Sequence, residues 1–244
     1  MKTSTKTSGK TSGRSSAKIF RKTSARTSAP RVLLLCNGEP PSRGLLRRFA
    51  GEADIVVAAD GGANVALRSG LRPDVIIGDM DSILRTTRKK FSDSRVVHVR
   101  RQDNTDLEKA LDFISARGPA EVAIAGATGG RIDFTLGNLS VFWNYTRTLD
   151  MTFVGDGWRA FPVLRRRTVK APRGATVSLI PFGSCAGVSL RGLRYPLKEA
   201  SRRVGEIGVS NVVRRSPFSV AVRRGRMLLV VFDGAGTREK GPAW

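Results

Sequence analysis

Two aspartates one residue apart, Asp79 and Asp81, close the apolar run of PDVIIGDMDSI (73–83). Carboxylates held that closely repel and raise one another's pKa unless a cation lies between them. A hard divalent ion that also takes phosphate oxygens is the chemistry such a pair suits. Three further motifs carry acids just after apolar runs: ADGGAN with Asp60, RQDNTDLEKA with Asp103 and Asp106, and GATGGRID with Asp133. Lys109 and Arg131 accompany them. Glycines 61, 62, 129 and 130 would let backbone N–H groups approach a phosphate closely.

Acids spread over some 75 residues of chain need elements that bring them together. VLLLC, DIVVAA, DVII, RVVHV, EVAIAGA and MTFVG read as short buried strands. Between them SRGLLRRFA, ANVALRSG, SILRTTRKKF, TDLEKALDFISARG and FTLGNLSVFWNYTR read as helical. Such alternation predicts βα units and a three-layer α/β domain with a mostly parallel sheet, whose strand ends share one edge. All four acidic motifs would then converge on one crevice. Thr105 and Glu108 have the spacing of a capping box, and Leu107, Ala110, Leu111 and Ile114 form a buried stripe. That geometry sets Asp106 in the first helical turn, facing the site, with Lys109 one turn on.

After about residue 156 the rhythm changes. TVKA, ATVSLIPF, GVSLRGL, FSVAVRRG and RMLLVVF, separated by Gly and Pro, predict a small antiparallel β domain, a sandwich or a barrel. KEASRRVG reads as one or two helical turns. The expected organisation is a basic Ser/Thr-rich tail over 1–31, the α/β domain over 32–156, the sandwich over 157–235 and a loose end over 236–244.

The formal net charge is +23, and residues 1–31 hold nine Lys or Arg and no acid. Residues 32–244 still carry 34 basic against 20 acidic residues, a surplus that favours polyanions or simply solubility. The tail has too little apolar content to order itself and suits an organelle-targeting segment or a nucleic-acid-binding arm. No apolar run reaches the roughly 18 residues of a membrane-spanning helix. Cys36 and Cys185, far apart and without metal-ligand spacing, read as reduced thiols of a cytoplasmic protein. His98 reads as a packing or strand-edge residue, and Trp143 and Tyr145 as core or dimer contacts.

In order, DGGAN, PDVIIGDMDS, NTDLEKAL and GGRID, then GLRYPL (192–197) and GVSN (208–211), resemble the thiamine pyrophosphokinase family over roughly residues 32–232. The resemblance implies a nucleotide-binding α/β domain followed by a β-sandwich, in a homodimer whose active site lies between subunits. It implies transfer of the diphosphoryl group of ATP to the hydroxyl of thiamine, with release of AMP. Asp79, Asp81 and Asp106 match the family's Mg²⁺-handling acids. Asp60 matches an acid beside the phosphates, and one of these four would accept the hydroxyl proton. Gly61, Gly62, Gln102, Thr105, Lys109, Arg131 and Asp133 match nucleotide-contacting positions, and Ser210 and Asn211 the segment meeting thiamine across the interface. Phe134 departs from the His or Gln of many relatives, and Val212 from a frequent acid. Two other readings stand beside this one: diphosphoryl transfer to a different alcohol, and a polyanion- or RNA-binding protein on the same scaffold.

Overall fold

The computed structural model describes residues 29–101, 103–206 and 208–233. Expectations for 1–28, Gln102 and 236–244 lie outside the described residues. Six short strands rich in Val, Ile, Leu and Ala form a parallel sheet, and its inner strands are buried on both faces as helical layers on either side require. The six are β1 (Arg31–Leu35), β2 (Ile55–Ala59), β3 (Val75–Gly78), β4 (Arg95–His98), β5 (Ala120–Ala125) and β6 (Leu149–Gly155). All five pairings among them are parallel, in the order β4-β3-β2-β1-β5-β6. The order reverses between β1 and β5. Crevices at such switch points are where open α/β sheets bind ligands.

Helices α1 (Arg43–Glu52) and α2 (Gly62–Ser69) lie against one face, burying Leu46, Ala63, Val65 and Ala66 with Leu33, Leu35 and Ile76. A short α3 (Arg85–Lys90) follows β3. The opposite face is covered by α4 (Asp106–Ser115) and the turn at Phe142–Tyr145, with Leu107, Leu111, Ile114, Phe142 and Trp143 packed on Val57, Ile77 and Ile124. Trp143 is thus a core residue. His98 stands exposed on the edge strand β4.

Past residue 155 the sheet does not end. Asp156–Gly157 makes a two-residue turn, with Gly157 at φ +74, and β7 (Trp158–Val163) returns antiparallel to β6. An Asp-Gly pair between two apolar runs is the sequence signature of a hairpin. β14 (Met227–Phe232), β9 (Thr176–Pro181) and β12 (Gly208–Val212) extend the same sheet, giving ten strands in the order β12-β9-β14-β7-β6-β5-β1-β2-β3-β4. A second, four-stranded antiparallel sheet runs β11 (Leu197–Arg202), β10 (Cys185–Arg191), β13 (Phe218–Ala221), β8 (Arg166–Val169). Val188, Leu190, Phe218 and Val220 of this sheet meet Val163, Val177, Leu179 and Leu229 of the long one, and that apolar layer is the core of the sandwich. KEASRRVG is not helical: Leu197–Arg202 pairs with β10 through an irregular register, with Glu199 at φ +50. Half-burial of Leu197 and Ala200 over the sheet outweighs the modest helix propensity of that segment.

A candidate cation and nucleotide site at the strand ends

Asp60 follows β2 at φ +40 and Met80 follows β3 at φ +71, both left-handed conformations that cost a non-glycine residue energy. Together they turn three carboxylates toward one point. Ligand oxygens of Asp60, Asp79 and Asp81 all lie within 4.8 Å of one another. Gly78 permits the approach, because a Cβ there would stand 2.7 Å from the Cβ of Asp60. Asn64 of the ADGGAN motif pins the acidic loop from behind: its Nδ2 donates to the Ser82 carbonyl at 2.8 Å, and its Oδ1 accepts from the Leu84 N–H at 3.1 Å.

The capping box of α4 forms, with Glu108 N–H donating to Thr105 Oγ1 at 3.3 Å and Thr105 N–H to Glu108 Oε2 at 2.9 Å. It aims Asp106 at the same site. Lys109, 4% exposed, points its ammonium between two carboxylates, Asp79 Oδ2 at 2.7 Å and Asp106 Oδ1 at 2.9 Å. Burial works against that ammonium, but the two carboxylate hydrogen bonds outweigh it and raise its pKa. The same hydrogen bond, with a second from Asp60, holds Asp79 down to about 2. Asp60 goes the other way, up to about 7, from burial first, then the hydrogen bond with Asp79 and the charges of Asp106, Asp79 and Asp81. Its Oδ2 accepts from the Met80 N–H at 3.1 Å, while its buried Oδ1 has no partner among the described residues. An orphaned carboxylate oxygen facing two more carboxylates fits a hard divalent cation.

Beside this cluster lies a cleft of about 440 Å³ at the switch point between β1 and β5. Cys36, Asn37, Gly38 and Glu39 line one wall, residues 126–130 another, and Thr105, Asp106, Leu107, Phe134 and Asn138 the rest. The loops are laced together by Gly38 N–H to Gly126 O at 2.7 Å and Glu39 N–H to Thr128 O at 3.0 Å. Cys36 sits in the floor as a free thiol pushed up to about 12 by burial, then by the charge of Asp106.

Not every expected residue arrives as expected. Asp103 pairs with Arg101 on the surface, and Arg131 with Asp133 at 3.1 Å, both exposed. Gly62 serves packing, since a Cβ there would meet the β1 carbonyl of Leu35 at 2.0 Å, and Gly61 lies against Asn37. The amides of Gly129 and Gly130 already donate to Thr135 Oγ1 and Glu39 Oε1, each at 3.2 Å. Asn211, 7% exposed, accepts from Tyr195 N–H at 3.0 Å and donates to Tyr195 O at 2.8 Å, clamping the 192–197 loop to β12. Ser210, at φ +60, donates its N–H to Ser178 Oγ at 3.2 Å. Ser210 and Asn211 share no cleft with the acids. β12 and β3 stand eight strand spacings apart in the long sheet, about 38 Å along it. Asn37, Glu39, Asn64 and Asn138 had no role assigned from sequence, because the strand order that brings the β1 and β5 loops together is not written in any local pattern.

A doubly wound half with a carboxylate crevice, joined to an antiparallel sandwich, defines an open-sheet α/β protein with a switch-point cleft and an appended β unit. Two family models match it: thiamin pyrophosphokinase, catalytic domain, over residues 46–153, and thiamin pyrophosphokinase, vitamin B1 binding domain, over residues 166–227. The chain belongs to the thiamine pyrophosphokinase family. It is 32% identical to thiamine pyrophosphokinase 1 of Oryza sativa subsp. japonica over 210 residues, 72% of this chain and 79% of the relative. Identity to the thiamine pyrophosphokinase of Bacillus subtilis is 26% over 193 residues, 76% of this chain and 90% of the other. The crystal structure of the thiamin pyrophosphokinase from Geobacillus thermodenitrificans superposes with a TM-score of 0.74 at 25% identity, covering 84% of this chain and 99% of that one. Among the described residues no helix is long and apolar enough to cross a membrane.

Proposed function

We propose that this protein transfers the diphosphoryl group of ATP to thiamine, yielding thiamine diphosphate and AMP. The observation that carries this reading is the set of three carboxylates gathered within 4.8 Å beside a switch-point cleft, in a chain of this family. Asp60, Asp79 and Asp81, with Asp106 adjacent, would hold Mg²⁺. When bound, that ion neutralises phosphate charge and lets the tetra-anionic donor approach acids that would otherwise repel it. Phosphoryl chemistry of this kind needs positioning and charge compensation more than covalent help.

The chain's own residues then divide the work. Lys109 fixes Asp79 and Asp106 and holds Asp79 charged. Asn64 holds the acidic loop in place. One of these four carboxylates would take the hydroxyl proton of the acceptor. Gly61, Gly62, Thr105, Arg131 and Asp133 frame the nucleotide end.

The acceptor belongs with Ser210 and Asn211, and one chain holds these too far from its acids to share a site. The reading therefore requires two copies, with the sandwich of one closing the cleft of the other. Two apolar patches suit that contact. α5 (Ile132–Val141) exposes Ile132 (70%), Phe134 (49%) and Leu136 (59%) beside the cleft, and the β unit exposes Tyr195 and Val209 around Asn211. Both cysteines are free, as in a cytoplasmic protein. The test is AMP release from ATP and Mg²⁺ with and without thiamine. Thiamine-dependent AMP matched by equal thiamine diphosphate establishes the reaction, and nucleotide binding without any thiamine effect sinks the acceptor.

A further inference from the structure

The β unit holds a second cavity, of about 610 Å³, whose lining has the opposite sign to the carboxylate crevice. It lies between the start of β10, the end of β11 and the turn that joins β13 to β14, and none of its lining residues belongs to the α/β half. Arg202, Arg203 and Arg224 line it with Ser184, Ser201 and Glu206. The one acid is already engaged, because Glu206 Oε1 accepts from Arg203 Nε at 2.9 Å. Arg202 and Arg224 have no acidic partner among the described residues. Two positive charges therefore face the cavity uncompensated.

The fold fixes where both arginines stand. Arg202 lies opposite the buried Cys185 across the β10–β11 pair, so its side chain leaves from the sandwich-facing side of the strand and is half-buried. It uses one N–H on the Ser201 carbonyl at 2.7 Å, and a guanidinium carries five. Arg224 is tied by its backbone to Ala186, donating to the Ala186 carbonyl at 3.0 Å and accepting from the Ala186 N–H at 2.9 Å. Gly225, at φ +106, lets that turn sit down on the start of β10. A Cβ there would stand 2.6 Å from both the Ser184 carbonyl oxygen and Cys185 Sγ. The two arginine backbones thus flank β10, about 10 Å apart across two strand spacings. Phosphate oxygens match the guanidinium fork in bidentate geometry, and two separated forks suit two linked phosphates.

We infer that this cavity binds a diphosphate group, free or carried by a small ester, at a site separate from the carboxylate crevice. Arg202 and Glu206 also line the neighbouring apolar pocket of about 170 Å³, together with Tyr195, Val209 and Asn211. The anion site thereby shares a wall with the segment that the proposed reaction gives to the acceptor. The inference itself stands without that reaction, since its probe is an inorganic anion and its readout is binding.

Calorimetric titration of the full chain with inorganic diphosphate in EDTA is the test. With divalent cations removed, the crevice acids repel the probe and do not compete for it. The expected result is saturable binding below about 1 mM, one diphosphate per chain. Arg202→Gln and Arg224→Gln should each weaken it about tenfold or more. Arg223→Gln removes the same charge from a side chain outside the cavity, and should leave binding within about twofold. No saturation of the wild-type chain by about 1 mM overturns the inference, and needs no variant to fold. So does an equal loss in Arg223→Gln, because binding would then reflect the general field of the basic half. Displacement of the probe by thiamine diphosphate at lower concentration than by ADP assigns the group to the product of the proposed reaction. The reverse order assigns it to a nucleotide.

Discussion

Residues 32–156 carry 16 Lys or Arg against 16 Asp or Glu, whereas residues 157–233 carry 16 against 3. Arginine outnumbers lysine in both halves, 13 to 3 and 14 to 2, so the contrast lies in the acids, not in the choice of base. The α/β half keeps its acids and clusters several where a cation can use them. In the sandwich half acids are nearly gone, and most of its basic side chains are exposed without an ion pair among the described residues. Long-range field and local site are thereby separated. On the proposed function, the basic half would draw anionic nucleotide toward the molecule, and the neutral half would supply the carboxylates that handle it once a cation is bound.

The largest effect that would break this division is at Asp81. Asp81→Asn should lower turnover by about a thousandfold while circular dichroism and melting temperature stay at wild-type values. Activity near wild type would remove the cation site from the neutral half. Next comes a test of whether the two halves work in trans. Asp81→Asn and Asn211→Ala chains should each be inactive, yet a mixture refolded together should recover about a quarter of wild-type turnover, because half of the dimers then contain one intact site of two. No recovery would mean that each chain works alone.

Lys109→Met tests the charge balance inside the cluster. It strands Asp79 and Asp106 without their shared ammonium, and should cost about 3–5 kcal/mol of stability in urea titrations. Added Mg²⁺ should recover part of that loss, and more than it adds to the wild type.

A smaller effect should appear with pH. The pKa of Asp60 rises from 3.8 unfolded to about 7 folded, so the folded state holds a proton that the unfolded chain releases in that window. Without divalent cations, stability should fall as pH rises from about 4 to 7, and Asp60→Asn should flatten the slope. Asp79 has the opposite sign: folded at about 2, it contributes above 3.8 and loses that contribution as pH drops toward 2. Melting curves taken from about pH 2 to about pH 8 separate the two. Smallest of all, deletion of residues 1–28 should leave turnover within about twofold, since all the described strands and candidate site residues follow them in the sequence.

Much of the α/β half was legible because its strands are unbroken apolar runs and its helices carry periodic stripes. Thr105 and Glu108 announced their own helix start. The acidic motifs were legible for a related reason, being polar groups placed where apolar runs stop. What stayed hidden was non-local. No local pattern within residues 158–232 tells that β7 joins β6, then β14, and through them one continuous sheet; only the Asp156–Gly157 pair hints at the first step. Lys109 was visible as a nearby cation, but its burial between Asp79 and Asp106 depends on β3 and α4 lying side by side. Asn138 looked like an ordinary helical polar residue until the loop after β5 brought Ala127 beneath it.

β14, the last of the described strands to be made, lies between β7 and β9 in the long sheet. On a ribosome the parallel strands are complete once residue 155 has emerged, yet β7 and β9 have no common neighbour until residue 232 follows. At about 5–20 residues per second, the stretch from the end of β9 to residue 232 takes about 3–10 s, during which two apolar strand edges wait unpaired. A chain stopped or cut just before Met227 would therefore lose more than its final strand, because the seam that stitches the β unit to the rest would never close.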